Sequence, residues 1–96
     1  MRYNNSKPIK DVINNYLKAF KLDDKMNEVR LHEHWEKLMG MSISKHTLKI
    51  EIKKKKLYIF LDSSVLRSEL SYAKQKIVES INTEFGQQLI DEVILM

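Results

Sequence analysis

The amino-acid sequence predicts a single α+β domain in the order α-α-β-β-α-β, with its helices packed on one side of a three-stranded sheet. Two observations carry this. Apolar residues recur at helical spacing as far as Met39, alternate with charged ones from Leu48 to Lys53, and return to helical spacing from Leu66. Ninety-six residues also suffice for one domain and not for two, so residues 1–96 read as one unit, with 1–7 expected to be flexible.

The elements follow in order. Ser6 suits a helix cap and Pro8 a first helical turn, where its missing N–H does no harm. Ile9, Val12, Ile13, Tyr16, Leu17 and Phe20 then form one apolar face. Asp23 or Asp24 should cap a second helix reaching Met39, whose apolar stripe shifts around the axis between Val29 and Leu31, as either a bend or two contact surfaces would require. Gly40 is the expected stop, in the left-handed conformation, and "MSISKHT" a loop or single turn.

Leu48, Ile50 and Ile52 alternate with Lys49, Glu51 and Lys53, the pattern of a half-buried strand. Leu57 to Leu61 is the return strand. The connecting "KKKK" lacks Gly and Asn, which predicts a longer loop built around a type I turn. Leu66, Leu70, Ala73, Ile77 and Ile81 trace a single third helix that Gly86 ends, and "LIDEVILM" closes the sheet.

Composition narrows the function classes. There is no cysteine, so disulfide scaffolds and thiolate metal sites are out. No apolar run approaches the roughly 20 residues of a membrane helix, and the expectation is a soluble cytoplasmic domain. The net charge of +4 is unevenly placed. Lysines 45, 49, 53, 54, 55 and 56 face one acid, Glu51, while the chain from Glu79 onward carries acids and no base. Such concentration suits a small site for nucleic acid or an acidic partner.

The residues of catalysis are not in place. Ser63 and Ser64 lack the sharp G-x-S-x-G turn and a base at a suitable spacing, so a helix cap is the better reading. His32 and His34 are two apart and fall on different sides of a helix, which prevents a shared metal. No Gly-rich phosphate loop occurs, and no cofactor or small-molecule substrate is expected. The chain reads as a non-enzyme. Tyr58 and Phe60, interleaved with Lys49 and Lys53, could stack bases unless Tyr16 and Phe20 cover them.

Two stretches, "HWEKLMGMSISKHT" and "LDSSVLRSELSYAKQKIVESINTEFG", together resemble the DciA family of bacterial replicative-helicase loaders. Trp35, Leu38, Met39, Gly40, Ile43, His46 and Thr47 fill its first motif in register. Ser63, Ser64, Glu69, Leu70, Ile81, Asn82 and Gly86 match the second, while Leu66 stands where many members carry Trp. The resemblance implies a KH-like fold, docking on the hexameric helicase DnaB and, in some members, DNA binding. The Gly-x-x-Gly loop of true KH domains is absent, so RNA clamping does not follow from the shape.

The expected nucleic-acid contacts, weak and electrostatic and possible with single-stranded DNA, are Lys49, Lys53, Lys54, Lys55 and Lys56. The expected helicase-binding surface includes Trp35, Arg67 and Lys74, the last two seven apart on one flank of the third helix. The competing readings are an RNA- or ribosome-associated KH-like module and a purely structural subunit.

Overall fold

The computed structural model describes residues 23–96. The predicted first helix, its Ser6–Pro8 start and the flexible segment 1–7 lie outside the described residues. Helix α1 covers residues 23–33, followed by α2 (Trp35–Met39), α3 (Met41–Lys45), β1 (Thr47–Lys53), β2 (Lys56–Leu61), α4 (Ser64–Leu70), α5 (Lys74–Phe85) and β3 (Glu92–Leu95). The three strands form one sheet in the order β1-β2-β3, antiparallel then parallel. This is the predicted α+β class, compatible with a small KH-like fold.

One face of the sheet carries the core. Ile50 and Ile52 of β1, Leu57, Ile59 and Leu61 of β2 and Val93 of β3 are buried against Leu31, Trp35, Leu70, Ile77, Val78 and Ile81 from the helices. Leu48 was expected to join them but is 68% exposed. A register irregularity between Thr47 and Lys49 shifts the alternation by one residue, and Leu48 turns outward.

The helices depart from the periodicity in instructive ways. The predicted bend falls at His34, whose N–H is shared between Arg30 and Leu31 carbonyls at 3.3 and 3.1 Å. Asp23 and Asp24 are already helical, so neither is the cap. Gly40 ends α2 as expected, but with φ 90° and ψ 163°, an extended mirror conformation open essentially to glycine alone rather than the left-handed helical one. "MSISK" beyond it is a short helix, not a loop. The single third helix is in fact two. Ser71 turns its hydroxyl back to the Ser68 carbonyl, and the chain breaks over Ser71–Ala73 before α5 begins. Gly86 stops α5 in the left-handed conformation, as predicted.

Helix α1 seals the outer edge of β1. The Glu28 carboxylate accepts the outward N–H of Ile52 at 3.0 Å, and the backbone N–H of Lys54 points to Asp24. Four residues of helix rise about 6 Å and two of strand about 6.6 Å, so acids one turn apart match alternate strand donors. Partial burial pushes the Asp24 carboxyl above its ordinary range, against the opposing pull of the Lys54 N–H.

The β1–β2 turn is also a correction. It is a tight two-residue loop, Lys54 and Lys55 between the paired Lys53 and Lys56, with φ of 51° and 65°. Positive φ at both central residues is the type I′ requirement, normally met by Asn-Gly because it matches strand twist. The short register of β1 against β2 forces two lysines into a conformation costing about 1 kcal/mol or more each. Replacing the pair with Asn-Gly (K54N/K55G) should therefore stabilise the domain by about 1–2 kcal/mol and raise Tm by about 5–10 °C. An unchanged or lower melting temperature would show that the lysines bear no strain.

Candidate nucleic-acid interface

The side of the sheet away from the core is built from the alternate residues of each strand. Cross-strand pairing sets them in rows: Lys49 beside Phe60, Glu51 beside Tyr58 and then Ile94, and Lys53 beside Lys56 and then Glu92. Strands lie about 4.8 Å apart and successive rows about 6.6 Å, so the rows form one continuous surface. Tyr58 and Phe60 are half-buried within it, and the lysines are exposed. Lys54 and Lys55 extend beyond its end on the exposed turn.

The charges on this surface are coupled. Glu51 forms ion pairs with Lys49 at 3.3 Å and Lys53 at 3.6 Å. The Lys49 hydrogen bond, reinforced by both ammonium charges, holds the Glu51 carboxyl below its ordinary range. Lys49 also places its ammonium over the Phe60 ring, 4.6 Å from the centroid. Of the five lysines expected to contact nucleic acid, two are thus bridged by one carboxylate, whereas Lys54, Lys55 and Lys56 cluster at the tip.

The residues expected on a partner surface are not brought together. Trp35 is 3% exposed and belongs to the core, a correction to its expected role as a surface anchor. Its indole N–H donates to the Thr47 hydroxyl at 3.0 Å, and that hydroxyl donates to the Ile43 carbonyl at 2.7 Å. Arg67 and Lys74 do not share a helix flank, because the break after Leu70 puts them on α4 and α5. Arg67 binds two backbone carbonyls, Leu61 at 3.2 Å and Met96 at 3.1 Å, and so ties α4 to the ends of β2 and β3. Lys74 is exposed on the first turn of α5.

The motif residues that the sequence marks out prove to be mostly scaffold. Trp35 and Thr47 lock α2 and α3 to β1. His46 Nδ1 donates to the Asp62 carboxylate at 2.8 Å, joining the start of β1 to the end of β2. Ser63 caps α4 by accepting the Leu66 N–H at 3.2 Å, while Ser64 is simply its first residue. Asn82 accepts the N–H groups of Leu89 and Ile90 at 2.9 and 3.0 Å and donates to the Ile90 carbonyl at 2.9 Å, fixing the segment that leads into β3. The role of Glu51 between two lysines was missed, although its isolation among six lysines was the signal.

Among the described residues, no group of three His, Asp or Glu side chains is arranged to hold a metal. Nor is any helix there long and apolar enough to cross a membrane.

Comparison with known proteins adds what geometry alone does not. The chain matches the family described as "Dna[CI] antecedent, DciA" over residues 8–95. A curated relative, a UPF0232 protein of Corynebacterium glutamicum (strain R), is 35% identical over 60 residues, which cover 62% of this chain and 34% of that protein. The matched segment therefore spans about a third of the relative's length. No solved structure matches. The match over nearly all of the chain places this protein in the DciA family.

Proposed function

We propose that this domain docks on a DnaB-type replicative DNA helicase in the cytoplasm and loads or regulates it, without catalysis of its own. The observation that carries the reading is family membership across residues 8–95. In this reading the lysine hairpin supplies a second, weaker contact to the DNA on which the helicase acts. Its support is the clustering of Lys53, Lys54, Lys55 and Lys56 at one end of the sheet, two of them in the turn and two flanking it. Cations at an exposed tip grip phosphate without reading sequence, and salt weakens them. On the protein-docking side, Lys74 is the exposed member of the expected surface and the residue carried forward.

The test uses the organism's own purified helicase. The wild-type domain and a variant with Lys53–Lys56 changed to serine are each passed over immobilised helicase, with nuclease present throughout. Equal retention of both, reduced for Lys74→Glu, is the expected result. Retention of neither would sink the docking role. Binding of RNA in preference to single-stranded DNA at equal salt would favour an RNA-associated module instead.

A further inference from the structure

We propose that Glu51 is a specificity-determining residue that makes the sheet face away from the core accept single-stranded DNA and resist duplex backbone. The inference rests on the DNA contact proposed above and concerns what kind of DNA that contact accepts.

The face combines two kinds of recognition in unequal measure. Tyr58 and Phe60 sit two apart on β2, with about 6.6 Å between them. That is roughly twice the 3.4 Å step between stacked bases of one DNA strand. Bases seated on both rings must therefore part from each other. A single strand allows this separation, whereas a duplex holds its bases paired and stacked inside.

Glu51 decides how much phosphate attraction accompanies the rings. Its carboxylate lies between Lys49 and Lys53 and pairs with both, so a backbone phosphate must compete with it for the same two cations. A nucleic acid that comes to this face must displace those contacts. Lys49 must also leave the Phe60 ring for a base to take its place, which its long flexible stem permits. A strand whose bases stack on Tyr58 and Phe60 regains what the displacement costs. A duplex offers the face only phosphates, and for those the carboxylate is already a bound competitor. The tip lysines then attract either form of DNA, while the face favours the unpaired one.

The test measures fluorescence anisotropy of labelled oligo-dT of about 15 nucleotides, of a duplex of equal length and of oligo-U, across a salt series. Wild type should bind oligo-dT more tightly than duplex. Glu51→Gln should raise affinity for both, duplex the more, by roughly 3- to 10-fold at low salt. It should steepen the duplex salt dependence by about 1–2 released ions and narrow the preference for single strands. Tyr58→Leu and Phe60→Leu, checked by thermal melting, should each lower oligo-dT affinity about 10-fold and leave duplex affinity in place.

Other outcomes overturn the proposal. An unchanged preference in Glu51→Gln, or equal loss for both DNA forms in the ring variants, removes the specificity role. Tighter binding of oligo-U than oligo-dT would assign the face to RNA. Ring variants that bind DNA normally but lose the helicase would assign it to protein. If wild type binds DNA, the Lys54–Lys56 serine variant abolishes binding and the face variants change nothing, this inference fails and the electrostatic contact stands. No DNA binding by wild type, even at low salt, removes both.

Discussion

Asn82→Ala should lower the melting temperature by about 10–25 °C, the equivalent of roughly 2–4 kcal/mol. The side-chain amide satisfies two N–H groups and one carbonyl of the Leu89–Ile90 segment. Ile90 is fully buried and Leu89 nearly so, so their backbone groups have poor access to water. Removing the amide leaves the Ile90 N–H without its partner and the Leu89 N–H with only the Gln87 carbonyl at 2.9 Å, while the Ile90 carbonyl keeps only Gln88 at 3.2 Å. Unsatisfied buried groups cost more than the hydrogen bond itself contributed. Asn82→Asp is the informative companion. It keeps an acceptor for both N–H groups, loses the donor and sets a carboxylate against the Ile90 carbonyl, so its melting temperature should fall between those of wild type and alanine. An alanine variant within about 3 °C of wild type would show that water replaces the amide without penalty.

Trp35→Ala should be at least as severe, about 3–5 kcal/mol, which for a domain of ordinary stability approaches complete unfolding. The indole is buried in the core where α2 meets β1, and truncation to a methyl group leaves a cavity there. Trp35→Phe separates packing from hydrogen bonding. The ring remains and the indole N–H is lost, while the Thr47 hydroxyl keeps its bond to Ile43. Its expected cost is about 1–2 kcal/mol. Under the proposed docking role, the phenylalanine variant should bind the helicase as wild type does, below its own melting temperature. Selective loss of binding by a stably folded Trp35→Phe protein would return this residue to the partner surface.

Much of the architecture was legible because it depends on period alone. Ile50 and Ile52 alternate with charged residues, Ile77 and Ile81 repeat at one helical turn, and both Gly40 and Gly86 end helices. What was not legible depends on which of two local options tertiary contacts select. The Lys54–Lys55 turn has no favourable local chemistry; register across β1 and β2 imposes it. A helical stripe from Leu66 to Ile81 survives a break at Ser71–Ala73, because two helices against one core keep the same spacing of apolar residues. Trp35 and Arg67 show the limit for sites. Both residue types are common at interfaces, but here the indole binds Thr47 and the guanidinium binds carbonyls of the same chain. The lysine hairpin was found because charge density, unlike side-chain direction, can be counted along the chain.

The parallel pairing of β2 with β3 also bears on how the chain acquires its structure during synthesis. Residues 23–61 emerge before β3 and can already join α1 to β1 and β1 to β2, with Glu28 closing one side. Among the described residues, the other side of β2 waits for Glu92–Leu95, the segment that pairs there. During that interval Leu57 and Ile59 stand on a strand with one edge unpaired, a situation in which nascent chains readily associate with one another. Slow translation after residue 61 would prolong the exposure, and the Asn82-anchored segment, by guiding residues 89–90 into place, shortens the last step.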